Sequence, residues 1–246
     1  MSTPTAVELL WGTKQRPKRG PKPALTLTGI VAEAIDLVDA EGMANLSMQR
    51  LAERLGFTKM SLYRYVPGKA ELIALMLDSA LGEPPDTAAV EDDSTEEAWR
   101  AGLRRWGETI FQRYSAHPWA IELTTGLRPI GPNEMGWMEA ALVATEGTGL
   151  TGPERLDTIV LLNGHVRSLV QQVSATGGGE AAGQFTAQFA ETMTAAGDRY
   201  PAIRAAFAEE AFPAGRPTDA GGPGNALDFG IDRVLDGLAV LIARRG

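Results

Sequence analysis

Between Ser47 and Val66 the chain has room for two short helices joined by one tight turn, and for little else. Met48, Leu51, Ala52 and Leu55 recur at the i, i+3, i+4, i+7 spacing of a single helix face. Ser47 stands before that run, where a hydroxyl suits an N-cap, and Gly56 stands after it as a natural stop. A second short helix is expected from Thr58, ending before Pro67, with Pro67-Gly68 as a turn. The same 3.6-residue rhythm predicts helices over Thr28–Glu41, Lys69–Leu81, Asn133–Gly147, from Pro153 to about Ala175, and over Ala226–Arg245. A capping box, Ser94-Thr-Glu-Glu97, is expected to open a further long helix to about Ser115. Convincing strand alternation is absent, so the fold class is all-α. The glycines at 177–179 and the Pro/Gly-rich run Pro213–Asn225 read as loops.

Two short helices crossing at a tight turn can lay the second one in the DNA major groove, where side chains near its N-terminal end meet base edges. Leu62 and Val66 are expected to face inward. That leaves Thr58, Lys59, Met60, Ser61, Tyr63, Arg64 and Tyr65 to face out. Lys59 and Arg64 suit guanine or phosphate, Ser61 and Tyr63 suit phosphate oxygens, and Met60 suits a thymine methyl. The competing reading is a helical hairpin with a basic surface. Lys69 sits in the first turn of the next helix, where the macrodipole disfavours a cation unless a phosphate shares the site; a solvated lysine is the alternative.

Charge supports the first reading once it is divided. The 246 residues carry a net charge of −8, which taken whole argues against nucleic acid. Residues 1–82 hold ten Lys and Arg against eight Asp and Glu; residues 83–246 hold 13 against 23. Arg16, Lys18, Arg19 and Lys22 lie in an extended Pro/Gly-rich arm, suited either to an adjoining minor groove or to being a solvated tail. The expected divisions are a basic flexible arm over 1–25, a helix-turn-helix DNA-binding domain over 26–82 and a helical domain over 83–246.

The run Leu51-Ala-Glu-Arg-Leu-Gly-Phe-Thr-Lys-Met-Ser-Leu-Tyr-Arg-Tyr-Val-Pro-Gly-Lys-Ala-Glu-Leu72 makes residues 28–82 resemble the DNA-binding domain of the tetracycline-repressor (TetR) family of bacterial transcription regulators. The resemblance implies a three-helix head whose third helix reads the groove through Lys59, Met60, Ser61, Tyr63, Arg64 and Tyr65. It also implies phosphate contacts from Ser47, Gln49 and Lys69. More loosely, His117-Pro118, Gly126-Leu-Arg-Pro129, Asn133-Glu-Met-Gly-Trp-Met-Glu and Gly164-His165 resemble the family's C-terminal domain. That implies an all-helical ligand-binding and dimerisation domain, and hence a homodimeric regulator, most simply a repressor, released from double-stranded operator DNA by a small-molecule effector. The drug–magnesium members use a histidine and a glutamate at positions that here fall near Thr124 and Val173, so no metal and no cofactor are expected.

Trp99, Trp106, Phe111, Trp119, Met135, Trp137 and Met138 are many large side chains for one helical domain. Core packing is the plain reading. The resemblance implies a pocket lined by some of them, with Trp106, Phe111, His117, Trp137, Met138 and His165 as candidates. His117 equally suits turn capping before Pro118, and His165 a hydrogen-bonded core position. The last helix, with Leu162, Val166, Leu169 and Val173 on another, suits either intramolecular packing or an isologous dimer interface.

An enzyme or a dimeric scaffold without DNA binding is less well supported. The chain has no cysteine and two histidines, so thiolate metal sites, disulfides and cysteine nucleophiles are excluded. Gly177–Ala182 approaches a dinucleotide fingerprint but follows a helix rather than a strand. The N-terminus lacks a signal-peptide pattern and no apolar run is long enough to span a bilayer, so a cytoplasmic protein is expected.

Overall fold

A computed structural model describes residues 4–12, 25–88, 97–124, 127–175, 179–210 and 226–245. Among them the backbone forms helices and turns, with no strand. The first group is α1 (Ala6–Leu10), α2 (Leu27–Glu41), α3 (Met48–Leu55), α4 (Lys59–Tyr63) and α5 (Lys69–Leu81). α2 presents Ile30, Val31, Ala34, Leu37 and Val38 to one core, and packs on α3 and α5. α3 begins at its N-cap Ser47, whose hydroxyl accepts from the Arg50 amide at 3.2 Å. It ends at Gly56, held at φ +73° in the left-handed region that a Cβ would strain. Leu62 and Val66 are fully buried, as the spacing predicts. α5 buries residues all round because α1 and α2 cover one part of it and α8 another.

The second group is α6 (Ala98–Ala116), α7 (Trp119–Leu123), α8 (Pro132–Ala144), α9 (Gly152–Ala175), α10 (Gly179–Ala196), α11 (Pro201–Glu210) and α12 (Ala226–Ala243). α6 lies at its centre, against α8, α9 and α12, and α9 packs along α12. Leu103, Trp106, Leu162, Val166, Ile231 and Leu235 form the middle of this core.

Three differences from the sequence expectation have local causes. Residues 6–10 are helical rather than part of an extended arm: Thr5 and Glu8 form a capping box, and Leu10 is buried where α1 meets α5. The long helix starts at Ala98, because Glu97 spends its carboxylate on the Trp99 indole N–H (2.5 Å) instead of capping; Ser94 lies outside the described residues. Residues 179–210 hold two helices that weak apolar periodicity concealed, joined through Phe189 and Phe207, whose rings are 4.7 Å apart. Of the two alternatives for Leu162 and Val166, both side chains take intramolecular packing and are buried in their own core. The two Pro/Gly loops, apart from Gly179, fall outside the described residues.

Candidate nucleic-acid interface

α4 is only five residues long, and its N-terminus is built by Thr58, whose hydroxyl oxygen accepts from the Ser61 amide at 3.3 Å and pairs with the Ser61 hydroxyl at 2.9 Å. With Leu62 buried, the opposite face projects. Met60 is 72% exposed, and Lys59, Tyr63 and Arg64 are exposed beside it. The Lys59 ammonium lies 5.6 Å from the Tyr63 ring centroid, so the two form one cationic–aromatic unit. Ser61 is half-buried. Tyr65 departs from the outward expectation: it packs partly against the core.

Ser47, Gln49 and Lys69 border this face. Lys69 Nζ donates to the Leu46 carbonyl at 2.7 Å, which parks the ammonium beside the N-cap of α3 with two N–H groups to spare. Ser47 and Gln49 are exposed, and the Gln49 amide donates to Glu53 at 2.6 Å. Arg50 and Arg54 on α3 escaped the sequence reading. Their charge is engaged by α2: Arg50 pairs with Glu41, and Arg54 with Glu33 (2.5 Å) and Glu41. The hydrogen bond to Glu33 raises the Arg54 pKa further above its ordinary value. The cations of the projecting face are thus Lys59, Arg64 and Lys69, with α3's arginines facing α2. Arg16, Lys18, Arg19 and Lys22 lie outside the described residues.

Among the described residues, three cavities of about 550, 400 and 420 Å³ have none of the six pocket candidates in their lining. Trp106 and Trp137 meet edge-on at 5.7 Å; Trp106 donates to the Trp137 carbonyl (2.8 Å) and Trp137 to the Gly82 carbonyl (2.9 Å). Both indoles are therefore buried structural members. Phe111 and Met138 are half-buried on α6 and α8. His117 Nδ1 pairs with Asp39 of α2 at 3.0 Å, and Trp119 Nε1 donates to the same carboxylate at 2.6 Å. His165 Nε2 is 3.2 Å from the Leu227 carbonyl, between α9 and α12. A cavity of about 550 Å³ is instead lined by Thr87, Trp99, Ala144, Gly147, Ile242 and Arg245 among others, with no candidate residue in it.

The sequence reading also missed a polar cluster where the second group meets α5. Arg128 grips Glu134 (2.6 Å from Nη1), and its buried Nε has no hydrogen-bond partner among the described residues. Burial raises the Tyr114 pKa, and the nearby Arg167 charge lowers it in part. Arg128 belongs to the Gly-x-Arg-Pro turn, which was the available signal.

The chain matches the family described as bacterial regulatory proteins, tetR family, over residues 30–76, and the tetracyclin repressor-like C-terminal domain over residues 92–242. It is 39% identical to the HTH-type transcriptional repressor DrrR1 of Streptomyces coeruleorubidus, across 97% of this chain and 86% of that protein. It is 25% identical to the class A tetracycline repressor of Escherichia coli, across 85% and 88%. Its fold resembles apo ActR of Streptomyces coelicolor (TM-score 0.70, 23% identity, 92% of this chain and 100% of that one). It also resembles ActR in complex with actinorhodin (TM-score 0.68, 24% identity, 91% and 99%). Among the described residues no helix is long and apolar enough to cross a membrane. With both halves matched in order, the chain belongs to the TetR family of bacterial transcription regulators and is not an enzyme.

Proposed function

We propose that this protein is a homodimeric repressor that binds a pseudo-palindromic operator and leaves it when a small, largely apolar effector occupies the second helical group. The observation that carries the reading is the projecting face of α4, with Lys59, Met60, Tyr63 and Arg64 presented at a helix capped by Thr58, and with Lys69 held on the Leu46 carbonyl next to Ser47. A helix of this width enters the major groove, and its short length brings its N-terminal residues to base edges. Residues 26–82 are the reading head and residues 83–246 the sensor. Gln49, Ser47, Thr58, Ser61 and Lys69 position the head on phosphates, Tyr65 supports α4 from behind, and Arg16, Lys18, Arg19 and Lys22 reach the adjoining minor groove.

Dimerisation is assigned to α9 and α12. They leave Leu156, Val160 and Leu161 on one helix, and Phe229 and Val240 on the other, exposed, and Leu161 lines a groove of about 400 Å³ that the two helices share. The effector is expected to engage the sensor near Phe111, Met138 and the Arg128–Glu134 pair, with Trp106, Trp137, His117 and His165 around it.

Selection from a random duplex library by the purified protein tests the reading. The expected result is an enriched site with two related half-sites about 34–36 Å apart centre to centre. Tyr63→Ala with Lys69→Ala should lower affinity for that duplex at least tenfold. No enrichment by the wild type, or unchanged affinity in the double variant, overturns it. Arm binding is better tested by Arg16, Lys18, Arg19 and Lys22 to Ala than by truncation, because truncation also removes α1 from α5.

A further inference from the structure

α5 belongs to the reading head at one end and touches the sensor at the other. Its Lys69 opens the helix at the DNA edge, and its Asp78, nine residues on, meets α8. Asp78 is only 8% exposed. Its Oδ1 accepts from the Glu134 amide at 3.1 Å, in the first turn of α8, and its main-chain carbonyl accepts from Asn133 Nδ2 at 3.0 Å. α8 has no side-chain cap of its own: its N-cap is Gly131 and its first helical residue is Pro132. A carboxylate from another helix therefore supplies the anion that the positive end of α8 favours. The fit is exclusive at one position. A Cβ on Gly131 would lie 2.1 Å from Asp78 Oδ1 and 2.2 Å from its Cγ, so any other residue there evicts the carboxylate.

The flanking groups tie this cap to the sensor's turn. Arg128 and Glu134 clamp the Gly-x-Arg-Pro turn onto the same first turn of α8. Trp11 Nε1 donates to the Ile130 carbonyl at 3.2 Å and holds the turn from the α1 side. A second polar link, Asp39 of α2 to His117 and Trp119, lies apart from the cap on a different helix. Polar links from α1, α2 and α5 thus join the reading head to the sensor, and of these the Asp78 carboxylate caps the first turn of α8.

We infer that Asp78 is the positioning residue that sets the angle between reading head and sensor, by capping α8 from α5 across Gly131. Displacement of α8 or of the 127–131 turn then moves α5 and, with it, Lys69 and α4. Its regulatory consequence rests on the repressor reading; the geometric claim does not.

The chain has no cysteine, so a pair of introduced cysteines labels it cleanly. Met60→Cys on α4 and Glu139→Cys on α8, spin-labelled and diluted with unlabelled full-length protein, report the distance from head to sensor within one chain. The expected result is one narrow distance in the otherwise wild-type chain. With Gly131→Ala or Asp78→Ala its centre should shift by about 2 Å or more, or split, on the scale of helix shifts in switching proteins. Asp78→Asn, which retains an acceptor for the Glu134 amide, should restore the wild-type distance. If Gly131→Ala does not fold, the Asp78→Ala and Asp78→Asn pair decides alone. An unchanged distance in Asp78→Ala with only a lower melting temperature overturns the inference, since a purely structural cap would behave that way. On the selected duplex Asp78→Ala should lose affinity about tenfold and Asp78→Asn should not. A wild type that enriches no duplex counts against the repressor reading, while the distance measurement still decides the role of Asp78.

Discussion

Lys69 and Asp78 occupy one helix and carry opposite problems. The ammonium of Lys69 sits at the positive end of α5, and the structure eases this with the Leu46 carbonyl rather than with an acid. A phosphate would complete the site electrostatically, because the lysine keeps two N–H groups and α5 keeps its first amides. Lys69→Ala should therefore weaken binding to specific and unrelated duplexes alike, and should reduce the slope of log K against log salt by about 1. Gel shifts across a salt series measure this. A loss confined to the specific duplex would mean that Lys69 reads sequence.

Asp78 has the opposite sign and is buried. Desolvation raises its pKa, and the amides of Glu134 and Asn133 lower it in part. The folded chain therefore holds this proton more tightly than the unfolded chain. Its contribution to stability is fully present below the ordinary aspartate value and is lost as pH rises through the raised folded value. Asp78→Asn abolishes that dependence. In urea titrations at several pH values, wild-type stability relative to Asp78→Asn should fall as pH rises through this window. A constant difference would mean that the carboxylate is not desolvated.

At the scale of elements, pairs of helices meet where one of them gives up a side chain. α12 crosses α9 at Gly230, where a Cβ would lie 2.1 Å from the imidazole of His165. The imidazole is thus pinned between the α12 backbone and the Leu227 carbonyl. Gly230→Ala should cost about 1–3 kcal/mol as an overpacked contact. Adding His165→Ala should recover part of that loss, a non-additivity that a double-mutant cycle in urea detects. Simple additivity would place the imidazole elsewhere. The ion pairs Arg100 with Asp236 (2.6 Å) and Arg104 with Asp232 join α6 to the other side of α12, so this helix is held on two faces and leaves Phe229 and Val240 exposed.

At the scale of the molecule, the charge is arranged as a regulator on DNA needs it. Residues 83–246 hold 23 acids against 13 bases, and in residues 26–82 Lys59, Arg64 and Lys69 are exposed on α4, just after it and at the start of α5. An isologous dimer through α9 and α12 would put two such heads side by side. Val160→Glu with Val240→Glu should give a monomer by sedimentation, retaining helical content but losing affinity for the two-half-site duplex. A wild type that sediments as a monomer at micromolar concentration, or a variant that stays dimeric, would remove these helices from the interface.

The local repeats of the sequence sufficed for α2 to α5, α8, α9 and α12, for the Ser47 cap, for the Gly56 stop and for the inward turn of Leu62 and Val66. Each of these depends on residues within about one helical turn of one another, where spacing and backbone preference decide the outcome. Contacts between distant segments were decided only by the tertiary structure. Ile130 and Trp11 are 119 residues apart, Asp39 and His117 are 78, and Glu134 and Asp78 are 56. Nothing in the spacing of a helix says which neighbour its face will meet. Trp106 and Trp137 read first as core from the sequence, but the carbonyls that their indoles meet, those of Trp137 and Gly82, lie 31 and 55 residues away along the chain. In the same way the net charge of −8, which argues against nucleic acid for the chain as a whole, became informative only along its length. The fold then left Lys59, Arg64 and Lys69 exposed and turned Arg50 and Arg54 toward the acids of α2, because side-chain charges act through space over a few ångströms and not along the chain.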